Sequence, residues 1–194
     1  MRLRARRPRE RLLGALAGRL TGALLVGGAS RRFGSPKALA ELEGETLAAR
    51  AHRVLREVCD EVIVVGKAVD ALALPFPVLD DGSDERAAIV GVAAALRLAS
   101  AELVLVLPTD MPAMTPETLQ RLADAADDVD VAVPQAGPLP GAYRRSALPV
   151  LERRIAAGRL ALREALGELR VRTVELDAAV LRNVNRAVDL ASRT

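Results

Sequence analysis

The chain holds one cysteine, one histidine, no tryptophan, one tyrosine and two phenylalanines in 194 residues. A lone Cys59 forms no internal disulfide and fits a reducing compartment. With a single histidine, His52, there is no material for a Cys/His zinc site. His52 lies beside Arg50 and Arg53 on a helical pattern, as a surface residue does. Nothing near it suggests a nucleophile–base pair. The shortage of aromatics argues against nucleic-acid modules that stack bases on such rings. No apolar run approaches the ~20 residues of a membrane span. The opening, "MRLRARRPRERLLGALAGRLTGALLVGGAS", pairs a basic start with an apolar region, as export signals do. Arg19 interrupts that region, and cleavage near Ala29 would destroy a glycine turn, so a cytoplasmic protein is expected.

What is present is ordinary for a globular domain: 51% apolar residues, mostly Ala, Leu and Val, and 27% charged. The length suits one domain with a substantial core. Residues 1–11 carry six arginines and one glutamate, net +5 against +3 for the whole chain, so the remainder carries −2. Residues 1–19 are therefore expected to be a disordered Arg-rich extension, and 20–194 a single domain. Because the positive charge lies outside that domain, no nucleic-acid partner is expected.

Strand and helix signals alternate from about Thr21. Leu24–Val26 reads as a buried strand entering a turn at Gly27-Gly28. Leu47, Ala51, Val54, Leu55 and Val58 recur at helical spacing, predicting a helix over Thr46–Glu57. Strands are predicted at Val62–Val65, Val78-Leu79, Leu103–Leu107, Val129–Val133, Ala142–Arg144 and Val171–Leu176. Helices are predicted at Ala87–Leu98, from Thr115-Pro116 onward, at Ala147–Ala156, Ala161–Leu169 and Ala187–Ala191. Continuous apolar strands separated by helices imply a three-layer α/β domain whose mainly parallel sheet is covered on both faces.

Ligands of such sheets bind at the carboxyl ends of the strands, where three polar stretches fall. The first, "LLVGGASRRFGSPKAL", is a side-chain-free turn followed by Arg31, Arg32 and Lys37. Backbone N–H groups there, with three cations, suit a polyphosphate. The spacing is neither that of the Walker loop nor of the dinucleotide fingerprint. The second, "LVLVLPTDMP", offers Asp110, a carboxylate placed to hold a divalent cation against phosphate oxygens, or else a turn aspartate. The third is "DDGSDE", where Asp80 and Asp81 serve a base, a ribose, a metal or only a solvated turn. In "RNVNR", Asn183 and Asn185 are helix caps or amides that orient a ligand. Arg144 and Arg145 are a second anion contact or a charged strand edge.

Taken in order, these motifs resemble the molybdenum cofactor guanylyltransferases, from about Thr21 to Ala191. The matching stretches are the glycine loop, "VLDDGSDERAAIVGV", "LVLPTDMPAMTPETL", "PGAYRRSALPVLERRIAAGRLALREAL" and "LRNVNRAVDLA". The resemblance implies a three-layer αβα, Rossmann-like nucleotidyltransferase fold. It implies transfer of GMP from GTP to molybdopterin with release of pyrophosphate, using Mg2+. By position, Leu25, Val26, Gly27 and Gly28 would contact the nucleotide, Arg32 and Lys37 its phosphates, and Asp110 the Mg2+. Asp81 and Asn185 would help hold the nucleotide. Implied partners are GTP, molybdopterin, and molybdoenzyme apoproteins or cofactor-delivery proteins. Related cytidylyl-transferring enzymes usually carry alanine at the Gly27 position, so guanine is favoured. The chain departs from the family pattern at Phe33, at Val65-Gly66, at Ala87–Gly91 and in lacking a histidine before Tyr143. Alternatives are a transferase using CTP or a phosphosugar acceptor, and a nucleotide-binding protein without catalysis.

Overall fold

A computed structural model describes residues 20–27 and 36–184. Its main sheet has seven strands: β1 (Leu20–Leu25), β4 (Glu61–Gly66), β5 (Leu79–Asp80), β6 (Leu103–Pro108), β7 (Val131–Pro134), β8 (Gly141–Arg144) and β9 (Val171–Val174). Their order across the sheet is β5-β4-β1-β6-β8-β7-β9. Pairing is parallel from β5 through β6 and between β7 and β9, while β8 runs antiparallel to both its neighbours. β2 (Glu41–Leu42) and β3 (Glu45–Thr46) form a separate hairpin.

The helices are α1 (Leu47–Arg56), α2 (Ala88–Leu98), α3 (Pro116–Asp124), α4 (Leu148–Ala156) and the single turn α5 (Leu162–Ala165). Thr46 caps α1 by accepting from the Ala49 N–H, and Thr115 caps α3 ahead of Pro116. α2 is different: it opens at Ala87 with no side-chain cap.

Side chains alternate across the sheet, so each strand feeds two cores. Ala23, Leu25, Val65, Val104 and Val106 pack with α2 and α4 on one face. Leu24, Val64, Leu105 and Leu107 pack with α1 and α3 on the other. This double coverage is why the central strands read as unbroken apolar runs.

The sequence reading differs from the structure in several places, among them the strand expected from Val129, which begins at Val131. The β2–β3 hairpin was not anticipated; its turn is made by Glu43 and Gly44 at φ 54° and 79°, the positive pair a tight hairpin needs. The stretch expected as one helix over Ala161–Leu169 passes after α5 into a 3-10 turn, Leu166–Glu168, where Gly167 weakens the α-helix. The last strand stops at Val174 rather than Leu176. The helix expected at Ala187–Ala191 and the extension at 1–19 lie outside the described residues.

Candidate active site

The chain leaves β1 for β4 and β5 on one side and returns to β6 on the other, so a crevice opens at the carboxyl end of β1. Leu25 is level with Val65 of β4 and Pro108 of β6. A cavity of about 220 Å³ sits there. Its walls include Leu25, Gly27, Gly66, Lys67, Asp81, the Ala87-Ala88 start of α2, Gly91 and Leu139.

The glycines of this wall have different reasons. A Cβ on Gly66 would lie 2.8 Å from Val26 Cγ2 and 3.1 Å from Val78 Cγ1, so packing demands glycine. Gly91 lets α2 approach Leu25, whose Cδ2 would be 3.3 Å from an added Cβ. At Gly27 an added Cβ would meet only Gly66 Cα, at an ordinary 3.7 Å, among the described residues. Among the described residues, packing does not require glycine at Gly27, which lines the cavity.

The two aspartates of "DDGSDE" separate cleanly. Asp80 is exposed and accepts from the N–H groups of Ala68 and Gly82, which holds its carboxyl below the usual carboxylate range. It shapes the turn. Asp81 is buried, its backbone N–H donates to the Gly66 carbonyl, and its Oδ1 lies 2.8 Å from Lys67 Nζ. Oδ1 also accepts the Ser83 N–H at 3.1 Å. No described residue donates to Oδ2. The cavity wall thus includes Asp81, whose Oδ2 has no donor among the described residues, and the start of α2, where no side chain caps the N–H groups.

Lys37 and Asp110 meet at the same end of the sheet. Lys37 opens a short 3-10 helix, Lys37–Leu39, after Pro36; Asp110 lies in the turn that follows β6. Lys37 Nζ is 3.4 Å from Asp110 Oδ2, with both side chains partly open to solvent. The Asp110 carbonyl accepts the Val184 N–H at 2.8 Å, which ties Val184 to this turn.

The structure therefore gathers Leu25, Gly27, Lys37, Asp81 and Asp110 at one sheet end. Val26 is near them, but its side chain packs into the core on the opposite face and its backbone N–H donates to the Val65 carbonyl. Arg32, Gly28 and Asn185 lie outside the described residues. Arg144 and Arg145 resolve as structural: they donate to the carbonyls of Ala126, Asp127, Ala99 and Ala101 at the far end of the sheet. His52 stacks on Phe76 with ring centroids 4.4 Å apart, away from the cavity. Cys59 is buried, which pushes its thiol up to about 12 and leaves it inert. The sequence reading missed Lys67, although "VVGK" places that charge at a strand's carboxyl end, the same signal that singled out the other stretches.

The model of the MobA-like NTP transferase domain matches residues 22–173. The chain belongs to the MobA-like NTP transferase family. The molybdenum cofactor guanylyltransferase of Desulfosudis oleivorans is 33% identical over 162 residues, 80% of each chain. A crystal structure of molybdopterin-guanine dinucleotide biosynthesis protein A from Archaeoglobus fulgidus superposes with a TM-score of 0.76. It is 26% identical, and the match covers 89% of this chain and 95% of that one. The 2-C-methyl-D-erythritol 4-phosphate cytidylyltransferase of Thermus thermophilus, at TM-score 0.65 and 22% identity, shares the fold, matching 88% of this chain and 95% of its own. As a MobA-like NTP transferase, this protein is a nucleotidyltransferase, and the expected α/β nucleotidyltransferase fold is the one observed.

Proposed function

We propose that this protein transfers GMP from GTP to the terminal phosphate of molybdopterin, releasing pyrophosphate. The observation that carries the reading is a cavity beside β1 at the same end of the sheet as the paired cation and acid, Lys37 and Asp110. The cavity offers an acceptor at Asp81 Oδ2 and donors at the start of α2. Guanine has the complementary edge, with N1–H and N2–H donors beside the O6 acceptor. Adenine presents the opposite pattern at those positions, so it pairs poorly with the same groups.

Direct in-line displacement needs alignment and charge neutralisation more than a protein nucleophile. A phosphate oxygen of the pterin forms a bond to the α-phosphorus of GTP. The bond from that phosphorus to the bridging oxygen breaks, and pyrophosphate leaves with the electron pair. Lys37 would hold the phosphates through this change and offset the developing charge, with Arg32 sharing the role. Side-chain-free Gly27 would let backbone donors approach the triphosphate.

No group of three or more acidic, histidine or cysteine ligands occurs among the described residues. A lone, partly exposed carboxylate fits Mg2+, which takes most of its ligands from phosphates and water. Asp110 would hold that ion, and its chemistry there is neutralisation of phosphate charge. No helix among the described residues is long and apolar enough to cross a membrane. The reading places the reaction in the cytoplasm, with the product passed to molybdoenzyme apoproteins or cofactor-delivery proteins.

A second reading is supported by the shared fold with the Thermus thermophilus cytidylyltransferase: the same chemistry with CTP or another phosphorylated acceptor. Pyrophosphate release from GTP, ATP and CTP, each with and without molybdenum-loaded pterin, separates the two. Release from GTP alone, and only with pterin, is expected. Release from CTP, or with a phosphosugar instead, would favour the second reading.

A further inference from the structure

We infer that Lys67 sets the base selectivity of this site by fixing the orientation of Asp81, as a positioning residue that does not itself touch the nucleotide. The inference rests on the reading of the cavity as the base site.

Lys67 and Asp81 are buried together, each side chain 7% exposed. An ammonium has three N–H donors and no acceptor. Here all three are matched: Asp81 Oδ1 at 2.8 Å, the Ser83 carbonyl at 2.5 Å and the Glu85 carbonyl at 2.6 Å. Lys67 therefore has no donor left for a ligand, although it lines the cavity.

Its effect passes through what it holds. Oδ1 accepts from both Lys67 and the Ser83 N–H, which pins the carboxylate about its broad terminal torsion. Oδ2, without a donor among the described residues, is left as the oxygen that can accept from a base. The bonds to Ser83 and Glu85 also fix the loop leading to Ala87, where α2 opens. One side chain thus ties the acceptor and the donors of the cavity into one rigid frame, and discrimination between bases depends on such fixed placement.

Calorimetric titration of the full-length protein with GTP, inosine triphosphate and ATP, each with Mg2+, tests this without the pterin. GTP is expected to bind most tightly, and inosine triphosphate, lacking the 2-amino donor, less tightly. Lys67→Met is expected to shrink the ratio of ATP to GTP dissociation constants by about tenfold, the worth of roughly one hydrogen bond to a charged group. Lys67→Arg, which keeps the charge, is expected to restore most of it. Equal weakening of both nucleotides, with the ratio unchanged, would mean a merely structural lysine and overturn the inference.

Asp81→Asn separates this from the underlying reading. If that variant keeps the wild-type ratio, the assignment of the base to Asp81 fails first. If it collapses the ratio while Lys67→Met does not, only the inference about Lys67 fails. Should Lys67→Met not fold, Lys67→Gln replaces it with the same expected loss. The double variant Lys67→Met/Asp81→Asn, which removes both buried charges, must then discriminate no worse than Asp81→Asn alone. A further tenfold loss in the double variant would show Lys67 acting on the ligand directly, and would also overturn the inference.

Discussion

Lys37 and Asp110, separated by 73 positions in the chain, stand 3.4 Å apart across the carboxyl ends of β1 and β6. On the proposed reading, each would match one half of a metal–triphosphate complex, the amine the phosphates and the acid the cation. Lys37→Ala is expected to lower kcat/KM for GTP by on the order of 10²-fold, typical of removing one contact to transition-state charge. Asp110→Ala is expected to abolish Mg2+-dependent pyrophosphate release. Because the two act as a unit, the double variant should lose less than the product of the single losses.

Gly27 faces the cavity, and the described fold leaves room for a Cβ there. Gly27→Ala should therefore keep thermal stability, with any change within about 0.5 kcal/mol. On the proposed reading, binding of GTP should suffer instead, by about 1–3 kcal/mol, because the methyl would occupy space assigned to the nucleotide. Parallel thermal melts and nucleotide titrations check both halves.

Gly66 predicts the converse. Its added Cβ collides with Val26 Cγ2 at 2.8 Å, inside a packed core. Gly66→Ala is expected to cost about 1–3 kcal/mol of folding stability, measured by urea denaturation, before any ligand is added.

Asp130 links β7 to β9 far from the cavity. Its carboxylate accepts from the Arg170 guanidinium, the Ser146 hydroxyl and the Arg170 backbone N–H, and the Arg170 bond chiefly holds it well below the usual carboxylate range. A carboxyl depressed by folding adds stability above its unfolded value of about 3.9, and that stability is lost as pH falls below it toward the folded value. Asp130→Asn should thus be less stable than the parent by about 1 kcal/mol at pH 7, a modest figure for a solvent-screened pair. The gap should narrow steadily in melts taken below about pH 4.

Much of this architecture was legible in the chain because period and punctuation agree. "LVLVL" ended by Pro108, and the capped start of α3 at Thr115-Pro116, carry their structure locally. The hairpin at Glu43-Gly44 was less visible, since two strands of two residues each give no period to detect. At the site, the strand-end rule located Lys37, Asp81 and Asp110 but could not separate Asp80 from Asp81. Only the tertiary fold decides which of two adjacent carboxylates turns toward solvent and which is buried against Lys67. Lys67 was not singled out: its strand-end place was legible in "VVGK", but its burial against a partner 14 positions away was not. The Arg144-Arg145 pair was ambiguous for the same reason, as its partners are carbonyls from distant turns.

The central claim is that the cavity beside β1 takes the base while Lys37 and Asp110 take the metal–phosphate end. A crystal soaked with Mg2+ and a non-hydrolysable GTP analogue tests it most directly. The account predicts the guanine between Leu25, Gly66 and Leu139 with its donor edge on Asp81, and the phosphates against Lys37. A nucleotide bound with its base outside that cavity, or phosphates remote from Lys37 and Asp110, would contradict it.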